Sequence, residues 1–330
     1  MAARYAFIVE HLDPHAGLTY KYQLMYYVAD GSLEMYDIKN RRTFLKKVVY
    51  PAVSLPQLYL GSTITVYSRQ LKITEYADEF TKRSLDASRE KTFAMIKPEA
   101  AAHAGVIINA ALKGGFTISK LKMVGGAYAL ELVAEDCVTK WAELLGTEGG
   151  EPDCINARFP GACYGSASAE QAAADLEQYF GPGSPKPAAS EDGCACCIIK
   201  PHAVTAGYAG LVIDKISESF TVTGAQMTTL NRANAMEFYE VYKGVVPEYM
   251  SMVDQLTSSP FIVLEVTGKG EGTVDALREL CGPPDPEIAR VLRPNSLRAL
   301  FGADKVKNAV HCTDLPEDGV LEVHFFFSIL

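Results

Sequence analysis

The sequence predicts an α+β chain: a small N-terminal β-sheet domain followed by two ferredoxin-like repeats, the first of them truncated. Three observations carry that prediction. Apolar and aromatic residues alternate at close to period two through "YKYQLMYYVADGSLEMYDI" (20–38). The stretch 91–146 is echoed by 194–282, and the Gly/Pro/Ser-rich "GPGSPKPAASEDG" (181–193) separates the two copies. The divisions are therefore 1–90 for the sheet domain, 91–180 and 194–330 for the repeats, and 181–193 for a linker.

The sheet domain reads as hairpins. Asp30-Gly31 between alternating runs marks a tight turn, and "STITVYSRQLKITEY" (62–76) supplies further strands. Residues 1–90 carry a net charge of +2, leaving −11 for the rest of a chain whose total is −9. An acidic body argues against nonspecific nucleic-acid binding. The basic run "KNRRTFLKK" (39–47) reads as a solvated turn and strand edge, with contact to an acidic polymer as the alternative.

Each repeat reads as strand, helix, strand, then strand and helix. "KTFAMIKPEA" (91–100) matches "CACCIIKPHA" (194–203), an apolar strand ending at Lys-Pro. "AGVIINAALKGGFTISKLKM" (104–123) matches "AGLVIDKISESFTVTGAQM" (209–227), and "WAELLG" (141–146) matches "LRELCG" (277–282). Alternation at these lengths predicts an antiparallel sheet with helices on one face. Between Lys-Pro and this last helix, the first copy is 33 residues shorter than the second. The second copy has a helical hairpin there (233–256), where the first has only Gly125-Gly126, a pair suited to a two-residue turn.

Composition fits a soluble intracellular protein. Hydrophobic residues make up 48% and charged residues 22% of the 330. No apolar run reaches membrane-spanning length, and "MAARYAFIVEHLDP" makes a poor signal peptide. Eight unevenly spaced cysteines fit a reducing compartment. "CACC" (194–197) reads as a strand entry rather than a zinc site, because no partner motif lies at zinc spacing.

His311 in "KNAVHCTD" could be a nucleophile, a metal ligand or a buried structural residue. "CIIKPHAV", "RPNSLRALFG" and "KNAVHCTD", in that order and spacing, resemble a nucleoside diphosphate kinase domain. "DGSLEMYDIKNRRTFLKK" is similar to the DM-ten type domain of ciliary axoneme proteins, which implies a PH-like sheet. The likeness covers nearly the whole chain and is weakest between 124 and 180.

That resemblance implies phosphoryl transfer through a phosphohistidine. His311 matches the nucleophile, Glu322 the carboxylate that orients it, and Tyr239 the tyrosine beside it. Lys200 matches the lysine that meets sugar and phosphate, Arg278 and Arg298 the phosphate clamps, and Asn308 the ribose contact. Mg²⁺ would arrive with ATP or another nucleoside triphosphate. Three departures stand out. The base-stacking aromatic aligns with Glu248, for which the adjacent Tyr249 is the candidate substitute. A phosphate-binding threonine aligns with Pro284, and Cys312-Thr313 replaces Gly-Ser. Losing a stacking or a phosphate contact is expected to weaken nucleotide binding by roughly 1–3 kcal/mol each. In the first repeat Tyr164 stands where the histidine belongs, within a segment 11 residues shorter, so that repeat is expected to be catalytically dead and to serve packing.

Two readings follow from the resemblance. In the first, the chain is a structural microtubule inner protein of ciliary or flagellar doublets. It would bind tubulin, other inner proteins and γ-tubulin complexes, and sit in cytoplasm, cytoskeleton and axoneme. In the second, it is an active kinase charging nucleoside diphosphates through phospho-His311. Neither nucleic acid nor membrane is an expected partner.

Overall fold

The computed structural model describes residues 4–13, 18–67, 69–86, 90–147, 150–151, 153–187 and 189–330, with only the backbone of Pro56. Two compact units divide it: Met1–Glu90 with Thr257–Ser259, and Lys91–Leu256 with Pro260–Leu330.

The first unit is a six-stranded antiparallel sheet. Its strands are β1 (Arg4–Asp13), β2 (Leu18–Tyr27), β3 (Ser32–Asp37), β4 (Arg42–Val49), β5 (Thr63–Val66) and β6 (Arg69–Tyr76), in the order β4-β3-β2-β1-β6-β5. The period-two pattern is realised here, with Phe7, Val9, Leu24, Leu33, Met35, Leu71 and Ile73 all turned into one core. Gly31 takes φ +65 at the β2–β3 turn. Most of the basic run forms the β3–β4 turn and the exposed edge strand β4. Helix α1 (Glu79–Asp86) starts at Asp78, whose carboxylate accepts the Thr81 N–H at 2.7 Å.

The second unit holds both repeats. The first comprises β7 (Glu90–Ile96), α2 (Ala104–Lys113), β8 (Thr117–Val124), β9 (Ala127–Ala134), α3 (Cys137–Leu145), α4 (Ile155–Arg158), β10 (Cys163–Gly165) and α5 (Ala169–Phe180). The second begins β11 (Ala195–Ile199), α6 (Pro201–Thr205), α7 (Ala209–Ser217), β12 (Thr221–Thr228), α8 (Arg232–Phe238), α9 (Tyr249–Leu256) and β13 (Phe261–Thr267). It ends α10 (Thr273–Cys281), α11 (Pro286–Leu292), α12 (Leu297–Phe301), β14 (Val310–Cys312) and α13 (Gly319–His324), followed by a π-helical turn, Phe325–Ile329. The Gly125-Gly126 turn joins β8 directly to β9, with φ of +57 and +80 and Val124 opposite Ala127.

The repeats share one eight-stranded sheet, ordered β10-β7-β9-β8-β12-β13-β11-β14. Read from either edge, equivalent strands come in the same sequence. At the joint Lys122 pairs with Gln226, and these two positions are themselves equivalent in the repeats. Helices α2 and α7 cross this pseudo-twofold through glycine. A Cβ on Gly105 would strike the main chain of Asp214, and one on Gly210 would strike that of Asn109. Gly105 corresponds to Gly210 and Asn109 to Asp214, so the close approach is reciprocal.

Helices cover both faces of the second repeat, not one. Alternate β11 residues divide between two cores: Ala195, Cys197 and Ile199 face α7 and α10, while Cys196 and Ile198 face α8, α9 and Phe326. "ACCII" has no polar side chain to give to water, and all five residues are buried. The linker is fastened as well. Lys122 Nζ donates to Ser184 Oγ at 3.1 Å and to the Pro185 carbonyl at 2.5 Å. Buried Glu265 accepts the Ser190 and Glu191 N–H groups at 2.8 and 2.7 Å.

Candidate functional site

His311 lies on β14, a short strand paired with β11 so that His311 faces Ile198. It is 6% exposed. Glu322, one turn into α13, reaches back over the strand, and its carboxylate oxygens lie 3.2 and 3.1 Å from His311 Nε2. Thr313 Oγ1 donates to the same carboxylate at 2.9 Å while accepting the Cys196 N–H at 2.9 Å. The carboxylate is thus held in place from a neighbouring strand. Read from the sequence only as a departure, Thr313 supplies the hydroxyl that steadies Glu322.

This geometry selects a tautomer. A carboxylate accepts only, so in the neutral ring Nε2 carries the proton and Nδ1 keeps its lone pair. Among the described residues no hydrogen bond engages Nδ1. Burial opposes the imidazolium, but the Glu322 charge and hydrogen bond favour it more, and the pKa of His311 is raised above the ordinary 6.5. Two rings wall the imidazole edge-on, Phe238 at 5.1 Å and Tyr239 at 5.9 Å between centroids. Phe238 was not legible as a site residue, because one aromatic in "MEFYEVY" looks like any other. The Tyr239 hydroxyl is buried without a partner among the described residues, an orphaned donor beside the histidine.

Lys200 directly follows β11 and is nearly fully buried, its Nζ donating to the Val306 carbonyl at 3.1 Å. Burial, reinforced by the charge of Arg298, lowers its pKa to about 7. Asn308 donates from Nδ2 to the carbonyl of Pro284 at 2.9 Å, and its Oδ1 is buried with no partner among the described residues. Pro284 therefore takes part through its carbonyl although it lacks hydroxyl and N–H.

Arg298 is turned inward. Its Nη1 donates to the Gly282 carbonyl at 2.6 Å, and Nε and Nη2 both reach the Val310 carbonyl at 3.3 Å, one residue before the histidine. In this state it braces β14. Arg278 stands exposed on α10, outside this hydrogen-bonded cluster. Tyr249 opens α9 and is buried in the core beside α8, its hydroxyl donating to the Met236 carbonyl at 3.3 Å. The structure therefore brings His311, Glu322, Tyr239, Arg298, Lys200 and Asn308 together around β14, and leaves Arg278 and Tyr249 apart from them.

The first repeat keeps the same wiring with other chemistry. Tyr164 lies at the place of His311, and its hydroxyl donates to Asp175 at 2.8 Å across the same 11-residue separation. Ser166 donates to that carboxylate at 2.7 Å, nine residues apart, as Thr313 does to Glu322. A phenol–carboxylate pair replaces the imidazole–carboxylate pair.

No group of three or more metal-ligating side chains occurs among the described residues. Lys200 and Arg298 are the buried basic side chains of this cluster, and Asn308 Oδ1 is its uncommitted acceptor among the described residues. Among the described residues no helix is long and apolar enough to cross a membrane.

Comparison with known proteins agrees with this architecture. Residues 1–87 match the nucleoside diphosphate kinase 7 N-terminal PH domain, and residues 194–329 match the nucleoside diphosphate kinase family. Nucleoside diphosphate kinase homolog 7 of Rattus norvegicus is 43% identical, with 99% of this chain and 93% of the rat protein covered. The mouse (Mus musculus) homolog gives the same identity and coverage. A nucleoside diphosphate kinase of Aquifex aeolicus is 38% identical over 40% of this chain and 91% of its own length. The chain belongs to the nucleoside diphosphate kinase 7 family, with a PH-type sheet at its N-terminus and a kinase domain at its C-terminus.

Proposed function

We propose that the second repeat is a phosphohistidine site that accepts the γ-phosphoryl of a nucleoside triphosphate and passes it to a nucleoside diphosphate. The observation that carries this is the His311–Glu322–Thr313 arrangement, which leaves an unprotonated nitrogen on a buried, oriented ring. In the first half-reaction the Nδ1 lone pair attacks the γ-phosphorus. The bond from phosphorus to the bridging oxygen breaks, and the nucleoside diphosphate leaves with that electron pair. Glu322 balances the positive charge on the ring. In the second half a terminal oxygen of an incoming diphosphate attacks phosphorus and restores the imidazole. Lys200 and Arg298 are assigned to the phosphates and Asn308 and Tyr239 to the sugar and the reacting centre; Arg278 and Tyr249, which lie outside this cluster, are given no part in the step. Mg²⁺ enters on the nucleotide.

The test is incubation with γ-labelled ATP and Mg²⁺. An acid-labile label is expected on the wild type, absent from His311→Ala and discharged by nucleoside diphosphate. Wild type without label, or His311→Ala labelled equally, sinks the reading.

A second reading rests on the first repeat, whose histidine position is filled by a hydroxyl–carboxylate clamp. A chain that devotes one kinase-like repeat to packing suits a structural part. The resemblance of "DGSLEMYDIKNRRTFLKK" to the DM-ten type domain supports doublet microtubules as its place, with tubulin and inner proteins as partners and γ-tubulin complexes as a further one. Co-sedimentation with microtubules and localisation to the axoneme are the expected results; a chain confined to soluble cytosol contradicts this.

A further inference from the structure

We infer that His202 is a positioning residue for the nucleophile: it holds the main chain of Ala309 in the left-handed conformation that sets the His311 strand. The inference rests on the phosphohistidine reading and assigns a role to a residue that reading does not use.

Ala309 lies between Asn308 and the strand that carries His311, with φ +69. For a residue with a Cβ that region is strained, so the surroundings must impose it. Both polar groups of Ala309 are held by one corner of the fold. Its carbonyl accepts the Lys200 N–H at 2.9 Å, and its N–H donates to His202 Nε2 at 3.2 Å. Lys200 and His202 flank the proline that opens α6, whose ring fixes the corner's own φ. Asn308 on one side and His311 on the other therefore take their positions from a turn whose amide is anchored by an imidazole.

The chemistry of that bond is one-sided. An amide N–H can only donate, so Nε2 must carry a lone pair and the ring proton must sit on Nδ1. Nδ1 lies 3.1 Å from Gln255 Nε2, and Gln255 Oε1 is buried; turning the amide over sets Oε1 against the ring, where it accepts the hydrogen bond from Nδ1–H. Burial and the charge of Lys200 push the His202 pKa down to about 4, which keeps the ring neutral and able to accept at neutral pH. A carboxylate or an aliphatic residue here would change either the charge beside Lys200 or the anchor itself.

The first repeat serves as an internal control. The Lys97 N–H still reaches the Ala162 carbonyl at 2.9 Å, but Glu99 stands where His202 would be. The Ala162 N–H turns back to the Phe159 carbonyl at 3.1 Å. The imidazole anchor is found in the repeat that has the nucleophile and not in the one that has Tyr164.

Three variants of the full chain test this: His202→Leu removes the acceptor, His202→Gln offers Oε1 in its place, and Ala309→Gly in the His202→Leu background removes the steric need for an anchor. The readouts are initial labelling rate of His311 with γ-labelled ATP, ATP affinity by titration, and hydrogen exchange at the Ala309 amide. For His202→Leu the labelling rate should fall about tenfold or more with much smaller loss of affinity, because the group displaced is the attacking one. Its Ala309 amide should exchange faster. Gln should recover most of both effects, and Ala309→Gly should restore part of the rate. Labelling of His202→Leu at the wild-type rate, or no recovery in either rescue variant, overturns the inference while leaving the phosphohistidine reading intact. If even the wild type takes no label, that reading fails. The exchange measurement then decides alone, and unchanged protection of Ala309 in His202→Leu overturns the anchor.

Discussion

At the residue scale the site is a set of buried groups whose protonation is set by neighbours, and this gives two predictions. Glu322 raises the pKa of His311, so the labelling rate should climb with pH as the ring loses its proton, with a midpoint above 6.5. Glu322→Gln should move that midpoint down and slow the step about tenfold to a hundredfold. The sign for stability is opposite. A raised folded pKa means the His311–Glu322 pair contributes fully below pH 6.5 and loses that contribution as pH rises through the folded value. Melting midpoints of wild type and Glu322→Gln should therefore converge at alkaline pH. Lys200 gives the second prediction. Its pKa of about 7 without ligand must rise when phosphate approaches, so nucleotide binding near pH 8.5 should take up protons. Calorimetry in two buffers of different ionisation enthalpy measures this, and uptake unchanged in Lys200→Met would refute it. Most of these residues were legible as an ordered set of motifs. His202 was not, since "KPHAV" carries no periodicity that distinguishes an anchor from a core histidine, and its partner is 107 positions away.

Elements show where local pattern stops being informative. The β8–β9 hairpin was readable because two adjacent glycines have few other uses. Coverage of both sheet faces was harder to see, since five consecutive apolar residues fit a one-sided or a two-sided strand equally until the helices are placed. The crossing of α2 and α7 was invisible for a different reason: a glycine in a helix reads as a cost unless the approaching backbone is known. Here that backbone is close enough that Gly105→Ala or Gly210→Ala should destabilise the second unit by about 1–3 kcal/mol through overpacking. Urea titration of each variant against wild type checks it. Two variants as stable as wild type would mean that the helices can part without cost. The strap between the repeats belongs to the same category. Its composition reads as a flexible linker, while Lys122 and Glu265 tie it down by main-chain groups that composition does not reveal.

For the whole molecule, the shared sheet makes the repeats interdependent. Fragments 91–187 and 189–330 produced separately should each aggregate or self-associate through the open edge of β8 or β12 and the bare face of α2 or α7. Co-expressed, they should form a one-to-one complex. Light scattering on the purified fragments decides, and a stable monomer of 189–330 would count against this interdependence. The pseudo-twofold has a further consequence for how the protein counts. A symmetric pair of such repeats would have two equivalent phosphoryl acceptors. This chain has the dyad in its sheet order and the asymmetry in its chemistry, His311 on one edge strand and Tyr164 on the other. Exhaustive labelling should therefore stop at one phosphoryl per chain, a half-occupied dimer written into a single polypeptide.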